Sequence, residues 1–293
     1  EGTGLKFTTD LVTTWTSIPQ PLDQQTDTVV QYGINQLRSV AVTVAIQNLV
    51  YDIAFTPGTI WIATFAGGLR KSTDNEQPWQ RVVLPPDNLN SISPADTLDF
   101  CLTPVGGNFC SNGNLNHRVF SVISTDNNTL YVGTANGINK STDGGISWIK
   151  FNAQNQTEPI SGNFITALAY NNVTGTIWAS TWKAEDQAEF YGVSSSSNGG
   201  QSWRTYLRDE RPHNFGFKNN DVMVPTDNGV FRSADNGLTW LLPNSIVDNK
   251  SKASLKTKLF YAADSYQQKI WLGTADGLVS LKESPGKIWE GDW

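Results

Sequence analysis

The chain has 293 residues, of which 16% are charged, with 25 glycines, eleven tryptophans, one methionine and a formal net charge of -6. That length suits one large all-β domain or two small ones, and the sparse charge and frequent glycine fit many short strands joined by turns rather than a helical protein. The acidic balance argues against nucleic acid, whose phosphates would repel it without a local basic patch, and no apolar run approaches the length of a membrane helix.

Taken from the start, Gly2 to Ile18 reads as the second half of a four-stranded sheet, with Trp15 on its outer strand. The chain thus opens inside a repeat, the start expected of a processed or truncated polypeptide. An unpaired half-sheet leaves exposed edges, so a distant segment or a partner chain is expected to complete it, which admits self-assembly by strand addition. A polar linker from Pro19 leads to Leu37–Val44, whose alternation predicts an inserted strand or hairpin. The first full sheet is predicted at Leu49–Phe55, Thr59–Thr64, Gly68–Ser72 and Trp79–Leu84. The insertion Pro85–Arg118 follows, either a functional loop or an irregular surface one.

Within that insertion Cys101 and Cys110 lie nine positions apart in a Gly/Asn/Pro-rich stretch. A disulfide is predicted, which places the protein outside the reducing cytosol; a metal site would need more ligands than the nearby His117, and no metal or cofactor is expected. Further sheets are predicted over 119–151, 164–206, 214–242 and 259–293. The third carries the insertion Lys183–Glu189, and a lysine-rich connector, Asn244–Lys258, precedes the fifth. The cluster Arg204, Arg208 and Arg211 is interrupted by Asp209 and Glu210 and reads as a solvated loop rather than a binding patch.

These sheets share a phrase of the form S-x-D-x-G-x-x-W. Ser141, Asp143, Gly145 and Trp148 hold it in full, as do Ser233, Asp235, Gly237 and Trp240, while Ser196, Asn198, Gly200 and Trp203 differ only by Asn for Asp. Decayed copies keep Asp74 and Trp79 with Glu76 at the glycine position, and Asp10 and Trp15 with Val12 there; the last copy keeps little more than Trp289. The physical reading is a hairpin staple. The Asp or Asn accepts turn amides, the Gly takes a positive φ, and the Trp packs beneath.

The motif resembles the Asp-box, or BNR, repeat of β-propellers such as sialidases, xyloglucan-degrading glycosidases, sortilin-type receptors and photosystem assembly factors. The G-T-x-x-G phrases also resemble propeller repeats of bacterial sensor and secreted surface proteins. The resemblance covers nearly the whole chain and implies an all-β fold, a β-propeller of four-stranded antiparallel blades. Five full blades and one half predict six blades, with seven as the alternative, in a single propeller over residues 1–293.

Two classes of function follow from the resemblance. A sialidase would need an arginine triad, which the eight arginines do not supply at equivalent points of successive blades. A xyloglucanase-type hydrolase needs paired carboxylates, for which Asp52, Asp99, Asp186, Glu189 and Asp264 are candidates; Asp52, in a predicted inner strand, reads more simply as a hydrogen-bonded strand residue. The two histidines, His117 and His213, lie in no nucleophile motif. The other class is a non-catalytic binding or scaffold propeller at the cell surface, whose partner is a polysaccharide or a protein. Its candidate ligand residues are the aromatic groups Trp182, Tyr191 and Phe215, which can stack on sugars or anchor a protein.

Overall fold

A computed structural model describes residues 5–73, 79–184 and 188–293. Two compact units are formed, Glu1–Gln156 with Asn163–Ile165, and Thr157–Gly162 with Thr166–Trp293. In the first unit the strands in chain order are β1 (Leu5–Phe7), β2 (Thr16–Ile18), β3 (Val29–Tyr32), β4 (Asn35–Ser39), β5 (Val50–Thr56), β6 (Thr59–Thr64), β7 (Gly68–Ser72), β8 (Gln80–Arg81), β9 (Ser91–Ile92), β10 (Cys101–Leu102), β11 (Val119–Ser124), β12 (Leu130–Thr134), β13 (Gly137–Ser141) and β14 (Trp148–Phe151). β1 and β2 pair alone, Leu5 opposite Ile18. β5 to β8 form one antiparallel sheet in sequence order, and β11 to β14 another, to whose outer edge β9 adds.

The second unit carries β15 (Phe164–Asn171, whose first residues count with the first unit), β16 (Thr176–Trp182), β17 (Gly192–Ser196), β18 (Arg204–Tyr206), β19 (Gly216–Lys218), β20 (Asp221–Thr226), β21 (Gly229–Ser233), β22 (Phe260–Tyr266), β23 (Lys269–Thr274), β24 (Gly277–Glu283) and β25 (Gly291–Asp292). They make sheets of four, three and four strands in sequence order; a single bridge from Arg232 to Leu241 stands where a fourth strand would flank β21. The chain is thus all-β, built of repeated antiparallel sheets of the β-propeller class.

In the β11–β14 and β15–β18 sheets the second strand is the core. β12 and β16 are buried at nearly every position, which explains why Leu130-Tyr131-Val132 and Ile177-Trp178-Ala179 lack the polar alternation of a half-exposed strand. At or next to the end of a second strand a threonine hydroxyl donates to a glycine carbonyl at the start of the next: Thr64 to Gly68 (2.7 Å), Thr134 to Gly137 (3.0 Å), Thr181 to Gly192 (2.9 Å), Thr226 to Gly229 (3.1 Å) and Thr274 to Gly277 (2.9 Å). The Thr-x-x-Gly phrase at Thr134, Thr226 and Thr274 is this turn, and the accepting glycine has a positive φ at Gly137, Gly229 and Gly277, as at Gly68. In the first unit Trp61 and Trp148 are buried in one cluster with Leu37, Leu69, Ile92 and Val132. Asp23 ties the linker to the β5–β8 sheet by ion pairs to the buried Arg70 (2.8 Å) and Arg81 (2.5 Å).

Two expectations change. The alternating stretch Leu37–Val44 is strand only to Ser39, because the turn at Gly33 and Ile34 sets a hairpin of β3 with β4, Val29 opposite Arg38. The insertion Pro85–Arg118 is not without strands, since it contributes β9 and β10, the latter running parallel to β4. Cys101 and Cys110 are joined by a disulfide, with their Cα atoms 6.0 Å apart.

Candidate ligand site

The repeated turns close on themselves. Ser141 Oγ donates to Asp143 Oδ1 (2.7 Å) and accepts from Gly145 N (2.9 Å), while Asp143 Oδ1 accepts from Ser147 N (2.9 Å). Ser233 and Asp235 repeat the circuit with Gly237 N (2.7 Å) and Thr239 N (2.8 Å). In the Asn copy Asn198 Oδ1 accepts Ser196 Oγ (2.8 Å) and Ser202 N (3.1 Å), and its amide donates to Ser202 Oγ (2.9 Å). Asp10 does the same with Thr8 and Thr14.

The amide and hydroxyl of Thr14 hold Asp10 down to about 2, and the hydroxyl and amide of Thr239 do so for Asp235. Burial pushes Asp143 up, but the Ser147 amide and its other hydrogen bonds outweigh it, so it too stays below the usual carboxylate range. Trp148 and Trp203 are buried under their turns, whereas Trp240 is half-buried. Trp79 is buried against Ile18 and Ile62, and Asp74 lies outside the described residues. Groups so fully engaged serve the fold and leave little to offer a ligand.

Three of the carboxylates weighed for hydrolysis, Asp52, Glu189 and Asp264, are similarly engaged. Asp52 accepts Val122 N (2.9 Å) and Ile53 N (2.8 Å), tying β5 to β11, and burial raises its pKa. The buried Glu189 accepts Ala184 N (2.9 Å), and the exposed Asp264 accepts Ser265 N (2.7 Å). Asp99 lines a cavity of about 410 Å³ with Arg38 and Asp87, and Asp186 lies outside the described residues. His117 is buried, its Nε2 3.1 Å from Leu84 O, with a pKa lowered to about 4 by that burial.

Two of the aromatic candidates come together in the second unit. Trp182, at the end of β16, meets Tyr191 edge-on at 6.0 Å between centroids. Its indole Nε1 donates to Pro212 O (2.9 Å), which fixes the ring. His213 lies at 6.0 Å from Trp182 on one side and 5.5 Å from Tyr261 on the other. Its backbone N donates to Pro225 O (2.9 Å) and its Nε2 lies 2.7 Å from Asp227 Oδ1.

Tyr261 is the extra residue at the register shift between Phe260 and Ala262, and a bulge of this kind re-aims a side chain; it is 49% exposed. Arg211 lays its guanidinium over Tyr191 at 4.7 Å and over Trp182 at 6.0 Å, and Arg208 stands over Phe190 at 4.0 Å. The loop read as merely solvated is therefore folded against aromatic faces by cation–π contact. Phe215 does not join this group. It is 7% exposed and packs on Trp178 at 6.4 Å, and a buried ring shows no face to a ligand.

Sequence reasoning missed His213, Asp227 and Tyr261, which are distant in the chain. Only the aromatic at the second position of an inner strand, seen also at Tyr51 and Phe120, would have pointed to Tyr261. Taken together, the rings offer apolar faces, while Arg211, Asp227 and His213 offer hydrogen-bonding edges beside them. Few polar groups set among aromatic faces is the composition of a small-ligand site.

No protein-family model matches the chain. It is 24% identical over 215 residues, 72% of its length, to the xyloglucanase Xgh74A of Acetivibrio thermocellus, and spans only 20% of that enzyme. Among solved structures it is similar to the extracellular domain of BT4673 from B. thetaiotaomicron, described as a hybrid two component system. There the TM-score is 0.53 and the identity 17%, over 79% of this chain and 27% of the other. It is also similar to YCF48 bound to D1 peptide, with a TM-score of 0.50 and 16% identity, over 89% and 72% of the two chains. These neighbours are propeller-like domains, and at such identities the likeness is one of fold.

Proposed function

We propose that the chain is a non-catalytic, exported β-propeller of six blades stapled by Asp-box turns, and that it binds a polysaccharide at the cell surface. The observation that carries this reading is the platform of Trp182, Tyr191, His213 and Tyr261 with Arg211 across it. Sugar rings stack on such faces, and the Arg211 and Asp227 edges hydrogen-bond their hydroxyls. The disulfide and the extracellular character of the BT4673 domain support export. Among the described residues no helix is long and apolar enough to cross a membrane.

The test is affinity electrophoresis of wild type and of Trp182→Ala in gels cast with plant and microbial polysaccharides. Retardation by one polymer, weakened about tenfold or more in the variant, is the expected result. Equal retardation of both proteins would remove the platform from the account. A second reading, a glycoside hydrolase, draws on the similarity to the xyloglucanase; release of reducing ends would favour it.

A further inference from the structure

A second aromatic cluster lies in the first unit. Tyr51 and Phe120 each occupy a register shift, between Val50 and Asp52 in β5 and between Val119 and Ser121 in β11. Both are thus extra residues whose side chains a bulge turns out of the ladder. Their rings meet at 5.4 Å, Phe65 lies 6.4 Å from Tyr51 and 6.3 Å from Phe120, and Phe164 lies 4.5 Å from Phe120. Tyr51 is 49% exposed, and the other three rings are half-buried.

Arg118, just before β11, holds its guanidinium over Phe65 at 4.5 Å. Among the described residues it forms no ion pair, and its Nε is buried without a hydrogen-bond partner. Asp52, the residue after Tyr51, is already taken by the amides of Val122 and Ile53. A partly buried cation set on a ring without a counter-charge leaves its outer N–H groups open to an anion.

We propose that this cluster of the first unit is a second ligand site, and that it takes an anionic pyranose, a uronic-acid residue of a polysaccharide. The C–H face of the sugar stacks on Tyr51 while its carboxylate pairs with the outer N–H groups of Arg118, the planar fork that matches a carboxylate. Rings inclined at 57–65° to one another form a cup. A cup suits a single sugar ring better than the extended main chain of an acidic peptide, and a neutral sugar would leave the Arg118 charge uncompensated.

The test is calorimetric titration of the whole chain with trigalacturonate, with a neutral xyloglucan oligosaccharide and with a hexaglutamate peptide. Wild type, Tyr51→Ala, Arg118→Gln and Trp182→Ala are compared, each checked for native thermal unfolding. Trigalacturonate is expected to bind wild type and Trp182→Ala alike, to weaken about tenfold or more in Tyr51→Ala and Arg118→Gln, and to weaken as salt is raised. Tyr51 is exposed, so its variant keeps the test open should Arg118→Gln fail to fold. No binding of trigalacturonate to wild type, equal binding to Tyr51→Ala, or loss in Trp182→Ala alone would overturn the proposal. Hexaglutamate binding as tightly would also overturn it, by turning the site over to acidic peptides.

Discussion

Two copies of the same turn, Thr8–Trp15 and Ser141–Trp148, differ in what surrounds them. Both close the same hydrogen-bond circuit: Asp10 accepts Thr14 N at 2.9 Å, and Asp143 accepts Ser147 N at 2.9 Å. Yet Trp148 is 1% exposed and Trp15 is 55% exposed. At the glycine position Val12 and Gly145 both have positive φ, 69° and 78°. A Cβ on Gly145 would lie 2.6 Å from the ring of Trp61, and one on Gly237 would lie 2.7 Å from the ring of Tyr206; Val12 is 64% exposed. The carboxylate half of the motif is therefore local and survives alone. Its glycine and tryptophan answer to a neighbouring sheet, and they decay where no ring presses on the turn.

Substitution of the two tryptophans should expose this difference most strongly. Trp148→Ala is expected to cost about 3–5 kcal/mol in urea unfolding, as large core truncations do, and Trp15→Ala within about 0.5 kcal/mol. Equal costs would dissolve the distinction between the local and the packed half.

Acid separates the same halves by another route. The folded pKa of His117, about 4, lies below its ordinary 6.5, so between those values the unfolded chain binds a proton that the native core excludes. The stability His117 contributes is complete above pH 6.5 and declines as the pH falls from there to 4, by about 3 kcal/mol. Asp10 and Asp235, held near 2, keep their charge through that window. Urea midpoints should therefore fall between pH 7 and 4.5 in wild type and fall less in His117→Gln; parallel profiles would contradict this.

Backbone crowding comes next. Gly145→Ala must displace the Trp61 ring and should cost about 1–3 kcal/mol, whereas Val12→Gly should stay within about 0.5 kcal/mol. The smallest effect belongs to the carboxylate itself. Asp143→Asn should cost less than about 1 kcal/mol, because Asn198 already serves in an equivalent turn; a larger loss would mean that the charge, not the acceptor geometry, holds the staple.

The all-β, repeated-sheet architecture was legible because its signals are local: a Ser, an Asp, a Gly and a Trp within eight residues, and a threonine three positions before a glycine. The strand limit at Ser39 was not, since alternation continues through Val40–Val44 while the pairing that ends the strand depends on β3 and β10. The candidate site that we propose was partly legible for the same reason. Trp182 and Tyr191 stand out as aromatic residues beside an insertion. His213, Asp227 and Tyr261 come from separate strands and loops and meet only in the fold, so no spacing announces them. Phe215 misled because an aromatic residue in a Gly-Asn-rich segment reads the same whether its ring faces solvent or Trp178.

The most direct measurement is to incubate the purified chain with a panel of plant, microbial and sialylated glycans, following both depletion of protein and appearance of reducing ends. A binding propeller predicts depletion by a polysaccharide with no reducing ends released, and, where that polymer is neutral, loss of the depletion in Trp182→Ala. Steady release of reducing ends from any polymer would contradict it and turn attention to Asp52 and the other carboxylates.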